Sequence, residues 1–133
     1  MKTIFHEYDI RGLYPETINE DIAYDLGRAF VVFLSCSDVV IGHDMRASSP
    51  TLAKAFAEGV RDQGADVINI GLASTPMLYF AGRNKPAAVI ITASHNPAQY
   101  NGMKFCRENS RTVGGDTGIY EIEKLFQSRT FTT

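Results

Sequence analysis

Cysteine is scarce in this sequence, and its scarcity excludes two kinds of architecture. The 133 residues contain two cysteines, Cys36 and Cys106. Two cysteines so far apart predict neither the disulfide framework of a small secreted protein nor the paired ligands of a structural zinc site. We therefore expect two free thiols and a reducing, cytoplasmic environment.

Long apolar runs and an excess of one charge are also missing. The longest apolar run is AFVVFL at 29–34, which is far too short to cross a bilayer. Glu7 and Asp9 interrupt the N-terminal residues, which is not typical of a signal peptide. With 13 basic and 15 acidic residues, no field of one sign is present to recruit nucleic acid or an anionic membrane. These features predict a soluble domain that binds neither.

Strand-like and helix-like segments alternate along the chain, whose length suits one domain with a buried core. Short apolar runs typical of buried strands lie at 38–42, 65–71 and 87–92. Segments typical of helices lie at 22–33, 52–60, 74–83 and 119–126. This alternation predicts a three-layer α/β/α sandwich around a mostly parallel mixed sheet. The segment GMKFC at 102–106 follows a strand too closely for a crossover, so we predict an antiparallel or edge strand.

Polar residues indicate where the helices begin. The first predicted helix starts near Asn19, Ser48 or Ser49 can cap the second, and Ser74 precedes the third in an STP sequence. The last is predicted to begin at Asp116, after two glycines.

The stretch VIITASHNPAQYNGMKF at 89–105 raises the question of function. A predicted strand runs into Ser94, and binding sites in open α/β sheets form at this end of the strands. A tight loop that merely contains a serine explains the local pattern equally well. A hydrolase nucleophile with His95 as its base is disfavoured, because adjacent side chains in an extended segment point to opposite sides. The G-x-S-x-G sequence of hydrolases is also absent.

A third interpretation is that Ser94 carries a phosphoryl group. A phosphoserine bears close to two negative charges and needs cations and backbone amides around it. We predict that the hairpin returns Lys104 to this edge and that Arg11 and Arg46 sit in loops that could reach the same rim. Each of them alone is more typical of a solvated surface charge, so the residues by themselves leave the loop and phosphoserine interpretations open.

Five motifs are YDIRG at 8–12, GHDMRASSP at 42–50, GLASTPMLYFA at 71–81, TASHNP at 92–97 and YNGMK at 100–104. In this order they resemble the first domain of the α-D-phosphohexomutases, the family of phosphomannomutases and phosphoglucomutases. TASHNP followed by NG-x-K is the most specific part, and the resemblance runs from about residue 4 to 127. It implies the first-domain fold of phosphoglucomutase.

The resemblance implies a mutase reaction and assigns its main residues. Ser94 matches the serine that is phosphorylated in the resting enzyme and gives its phosphoryl group to a hexose monophosphate. The resulting hexose 1,6-bisphosphate turns around in the site and returns its other phosphate, so that phosphate moves between the 6- and 1-positions. Lys104 matches a lysine that assists proton transfer, and Arg11 an arginine that contacts the transferred group.

Further positions follow from the same resemblance. His95 is counted with the catalytic residues because it shapes the serine loop. The residues counted as binding substrate or phosphate are Tyr8, Arg11, Asn96 and Lys104. We expect Arg46 to brace the loop. One oxygen of phosphorylated Ser94 is implied to bind Mg²⁺, whose remaining ligands belong to a second domain.

The family's enzymes have four domains, and we interpret residues 1–133 as the first domain without domains II–IV. The polar tail after Phe126 is interpreted as its boundary. The resemblance implies a chain that folds but is inactive alone, and whose uncovered interface drives self-association. A phosphate or sugar-phosphate binding module without catalysis is the alternative. The choice between glucose, mannose and other hexoses is left open, because the sugar-selecting loop belongs to domain III.

Overall fold

A five-stranded mixed sheet forms the centre of the computed structural model, which describes residues 3–129 and 131. Its strands are β1 (Ile10–Leu13), β2 (Asp38–His43), β3 (Asp66–Leu72), β4 (Ala88–Ile91) and β5 (Tyr100–Cys106). They lie in the order β1-β5-β4-β2-β3. The helices are α1 (Glu20–Leu34), α2 (Ser49–Asp62), α3 (Thr75–Ala81) and α4 (Tyr120–Ser128).

The strand directions confirm the predicted mostly parallel mixed sheet. Strand β2 pairs in parallel with β3 and β4, whereas β5 runs antiparallel to both β4 and β1. Four of the five strands therefore point the same way. The segment predicted as an antiparallel or edge strand is antiparallel but not at the edge, because β1 pairs along its other side. Arg11 was predicted to lie in a loop, and that prediction was wrong, because Arg11 belongs to strand β1.

Side-chain caps confirm two of the predicted helix starts. The Asn19 side chain accepts the Ile22 N–H at the start of α1, and the Ser74 side chain accepts the Met77 N–H at the start of α3. No side chain caps α2, because the hydroxyls of both candidate serines bond elsewhere. Helix α4 begins at Tyr120, later than predicted, because Gly115–Ile119 form a wider turn before it.

Helices α1 and α2 pack closely against each other and cover one face of the sheet, and α4 packs on α1. A Cβ added at Gly59 would lie 2.0 Å from the backbone oxygen of Tyr24, so this contact requires glycine. The rings of Phe30, Phe56 and Phe105 meet in the core beneath the two helices, with centroids 4.9 to 6.2 Å apart. We call this the covered face.

The opposite face carries only the seven-residue helix α3, which packs on β2 and β4. Its smaller core contains Val40, Leu78, Ala88, Ile90 and Cys106. We call this the open face, since α3 makes its main contacts with β2 and β4 and meets β5 at Cys106. None of the helices described is both long and apolar enough to cross a membrane.

Candidate active site

Ser94 lies in the loop after β4, at the carboxyl end of the three parallel strands β2, β3 and β4. Its side chain is exposed, and its φ of 56° is in the left-handed region that residues other than glycine rarely adopt. The Ser94 N–H donates to Thr92 Oγ1 at 3.0 Å, whereas the Ser94 hydroxyl has no hydrogen-bond partner within the described part of the chain. Backbone strain of this kind occurs often at functional sites.

Arg46 holds the serine loop in place. Its two terminal nitrogens donate, at 2.7 to 3.0 Å, to the backbone oxygens of Ser94, Asn96, Pro97 and Tyr100. Its Nε donates to Asp44 Oδ2 at 3.2 Å, and its side chain is only 8% exposed. The guanidinium group therefore uses all five of its N–H donors within the protein. These contacts agree with the expectation that Arg46 braces the loop.

Asp44 connects Arg46 to the turn at Ser94. The Thr92 hydroxyl donates to Asp44 Oδ2 at 2.7 Å, and the same hydroxyl oxygen accepts the Ser94 N–H. Burial raises the pKa of the Asp44 carboxyl, but hydrogen bonds from Ser49, Thr92 and the Arg46 backbone outweigh burial and lower the pKa below its ordinary value of 3.8. Asp44 is thus an anion at neutral pH and a fixed acceptor for the loop.

Arg11 differs from Arg46 in how many of its donors are used. Its Nε donates to Asp9 Oδ1 at 3.0 Å, and its side chain is 37% exposed. The terminal nitrogens of Arg11 have no hydrogen-bond partner within the described residues. Arg11 also lines an open cleft of about 500 Å³ together with Asn96 and Pro97 of the serine loop. Arg11 can therefore bind an anion, whereas Arg46 has no donor left for one.

Lys104 lies on the open face with Arg11. It pairs with Ile90, whose side chain belongs to the open-face core, while Arg11 pairs with Gly102 on the same strand. Strand geometry alone separates the Cα atoms of Arg11 and Lys104 by roughly 8 Å. Lys104 lines a second cleft, of about 510 Å³, with the 74%-exposed Tyr8. The predicted binding residues are therefore brought together as two pairs in neighbouring clefts, rather than around one pocket.

His95 is the predicted site residue with the weakest structural support. Its side chain is exposed and makes no hydrogen bond with the residues described, and it lines neither of the two clefts. Its catalytic assignment therefore stays a prediction.

The cysteines and the acidic and histidine side chains bear on two other chemistries, thiol reactivity and metal binding. Burial raises the pKa of both free thiols, Cys36 and Cys106, to about 11, so neither is a reactive thiolate at neutral pH. Within residues 3–129 and 131, no group of three or more histidine, cysteine, aspartate or glutamate side chains is placed to hold a metal ion.

Three residues of the site were missed from sequence. They are Asp9, Asp44 and Thr92, which bond to Arg11, Arg46 and the Ser94 turn. Asp9 lies two residues before Arg11, but strand β1 was not recognised from sequence, so no pattern placed the two side chains on one face. Asp44 and Thr92 also bond to each other across 48 positions, a contact that no local pattern marks.

Three findings from comparison bear on this site. The sequence model of "Phosphoglucomutase/phosphomannomutase, alpha/beta/alpha domain I" matches residues 2–133. A phosphomannomutase of Escherichia coli is 44% identical over 133 residues, which are 98% of this chain and 29% of that protein. A phosphomannomutase of Klebsiella pneumoniae is 46% identical over 131 residues, which are 97% of this chain and 83% of that protein.

A solved structure has the same fold. It is a phosphoglucomutase/phosphomannomutase family protein from Burkholderia thailandensis, 36% identical, with a TM-score of 0.89 over 98% of this chain and 31% of that one. The chain thus spans about three tenths of the Escherichia coli relative and of this structure.

Proposed function

Because the chain belongs to the phosphoglucomutase/phosphomannomutase family as its first α/β/α domain, we propose that Ser94 is the phosphoryl-carrying residue of a hexose phosphate mutase. The proposed substrates are hexose 6-phosphate and hexose 1-phosphate, with hexose 1,6-bisphosphate as the intermediate. The relatives named phosphomannomutase support this class of reaction.

Each half of the proposed reaction moves one phosphoryl group. The bond from phosphorus to Ser94 Oγ breaks while phosphorus bonds to a hydroxyl oxygen of the hexose monophosphate. The proton of that hydroxyl reaches Ser94 Oγ by way of Lys104, so no proton is gained or lost. The bisphosphate then reverses its orientation, and the opposite transfer returns its other phosphoryl group to Ser94.

The single observation that carries the proposal is the unequal use of the two arginines near Ser94. Arg46 uses four N–H donors on the serine loop and the fifth on Asp44, while the terminal nitrogens of Arg11 stay free beside Asn96 and Pro97. Phosphoryl transfer needs positioning and positive charge on the transferred group more than it needs covalent chemistry. A loop held by one arginine and faced by another supplies both.

Mg²⁺ belongs to the proposal only as a partner of the phosphorylated serine. A hard cation needs several oxygen ligands, and the described residues hold no cluster that could provide them. The residues therefore fit at most one ligand, an oxygen of phosphorylated Ser94. When bound, the ion would neutralise charge on the transferred group.

The test is the intact mass of the purified chain before and after incubation with hexose 1,6-bisphosphate, with Ser94→Ala as the control. We expect one added phosphate, located on Ser94 by peptide mapping and absent from the variant. A chain that is never phosphorylated but binds hexose phosphate would instead support a binding module. An ester formed at Ser94 by an acyl-directed inhibitor would support a hydrolase.

We also propose that the chain does not turn over hexose phosphate alone, because the described residues supply neither a metal site nor a clamp for the far phosphate. Pure protein should show no mutase activity above the Ser94→Ala control in the presence of Mg²⁺ and hexose 1,6-bisphosphate. Turnover above that control would contradict this.

A further inference from the structure

We infer that Asp9 is a positioning residue, which aims the free end of the Arg11 guanidinium at the anion bound beside the serine loop. This role rests on the proposed phosphoryl-binding function. It also assigns Asp9 a purpose that its sequence position does not reveal.

The backbone around Asp9 is held firmly enough to serve as an anchor. Ile10 is completely buried in the core, so Arg11 beside it points to the open face, and the 3.0 Å contact places the Asp9 carboxylate next to Arg11 Nε. The Asp9 backbone oxygen accepts the His6 N–H at 2.9 Å, and the Arg11 N–H donates to the Ile4 oxygen at 2.9 Å. Both ends of the Asp9–Arg11 contact therefore start from fixed backbone.

The atom that Asp9 binds determines what is left for a ligand. Asp9 accepts from Nε of Arg11 and from neither terminal nitrogen. Because the guanidinium is planar, holding Nε fixes the direction of the other two nitrogens, which carry four N–H donors in the geometry that phosphate oxygens prefer. An arginine ordered in advance also loses less side-chain entropy when the anion binds.

The burial of Asp9 explains why an anion-binding site tolerates a carboxylate. The Asp9 side chain is only 11% exposed, whereas the Arg11 side chain is 37% exposed. The carboxylate therefore lies behind the guanidinium, which separates it from an anion in the cleft. Without Arg11, the same carboxylate would be a poorly solvated, uncompensated charge.

Positioning and simple charge predict opposite results when Asp9 is neutralised. Removing a negative charge near Arg11 should strengthen the binding of a phosphate anion if only net charge matters. It should weaken binding if Asp9 holds Arg11 in its binding orientation. The sign of the change therefore separates the two roles.

The experiment uses NMR on the whole chain near neutral pH, with Asp9→Asn and Asp9→Ala. The Arg11 Nε–H signal is identified by its loss in Arg11→Lys. Its hydrogen exchange should be about tenfold faster in both Asp9 variants, the effect expected for the loss of one charged hydrogen bond. Inorganic phosphate, followed at Arg11 and at the Ser94 amide, should bind several-fold more weakly to both variants.

The matched control is Asp25→Asn, which removes a carboxylate that pairs with Arg129. Asp25→Asn should leave the hydrogen exchange of Arg11 Nε–H and the affinity for phosphate at their wild-type values. Phosphate binding that is unchanged or tighter in Asp9→Asn overturns the inference, and so does a wild-type chain that binds no phosphate at Arg11. Phosphate found on Ser94 together with either result would leave the proposed function standing and remove only the role of Asp9.

Discussion

The two faces of the sheet differ in how fully they are covered, and the candidate chemistry lies on the less covered face. Helices α1 and α2 bury aromatic side chains such as Phe56 on the covered face. On the open face, α3 packs mainly on β2 and β4, and Arg11 and Lys104 extend from β1 and β5. The comparison indicates that stability and ligand access are assigned to opposite sides of one sheet.

The largest difference in stability should appear between two single substitutions, each of which removes one aromatic ring from a different face of the sheet. Phe56→Ala removes a fully buried ring packed near Phe30 and Phe105, and should lower the free energy of unfolding by about 3–5 kcal/mol. Phe80→Ala removes a ring that is 68% exposed on α3, and should cost less than about 1 kcal/mol. Urea unfolding measures both. Similar losses would show that the two faces do not differ as described.

The second largest loss of stability should follow substitution of Arg46, which holds the serine loop at the rim between the two faces. Arg46→Ala leaves Asp44 as a largely buried charge without its arginine and frees four loop carbonyls, so it should cost about 3 kcal/mol. Arg61→Ala changes an exposed arginine in the last turn of α2 and should cost less than about 1 kcal/mol. Limited proteolysis should also cut the loop at 94–100 faster in the first variant only. Equal stabilities of Arg46→Ala and Arg61→Ala would show that the contacts of Arg46 with the serine loop do not stabilise the fold.

A smaller effect should appear as a pH dependence at the same rim. The pKa of Asp44 is lower in the folded chain than its ordinary value of 3.8, because hydrogen bonds favour the charged carboxylate over the opposing effect of burial. The stability it contributes is therefore present above 3.8 and is lost as the pH falls through the lower folded value. The midpoint temperature of thermal unfolding should be measured from neutral pH to below 3.8. As the pH falls, this temperature should decrease less steeply in Asp44→Asn than in the wild type. Equal pH dependence in the variant and the wild type would contradict the lowered pKa of Asp44.

Substitution of an exposed apolar side chain on α3 should have the smallest effect on stability but should reduce self-association measurably. Leu72, Met77 and Phe80 are exposed apolar side chains near the β3 edge and α3, and they fit the expectation that an uncovered surface drives self-association. Met77→Ser should change the free energy of unfolding by less than about 1 kcal/mol but reduce association in a concentration series by size exclusion. A wild type that is monomeric at every concentration would refute the expectation.

Most helices and strands were predictable because their signals are local. Asn19 and Ser74 are side-chain caps next to the helices they begin, and the runs at 38–42 and 87–92 are apolar enough to require burial. Strand β1 was not recognised, because four residues containing Arg11 and Gly12 show too little of a strand pattern. It becomes a strand only because β5 offers it a partner.

The site was predictable in its list of residues more than in its arrangement. The motifs located Ser94, Arg11 and Lys104 through a resemblance, but they did not indicate that Lys104 shares a cleft with Tyr8 while Arg11 shares another with Asn96. The division follows from the register of β1 on β5, which no segment contains within itself.

Periodicity, helix caps and motif order depend on neighbouring residues. The fold class and the identity of the serine loop can therefore be predicted from the amino-acid sequence alone. Arg46 binds carbonyl oxygens 48 to 54 residues away, and Arg11 is aimed by a strand whose partner lies about ninety positions further on. Such contacts depend on where loops meet after the sheet has assembled. Packing therefore decided that the donors of Arg46 are all used within the protein and that the terminal nitrogens of Arg11 are left free, because both residues look alike in their motifs.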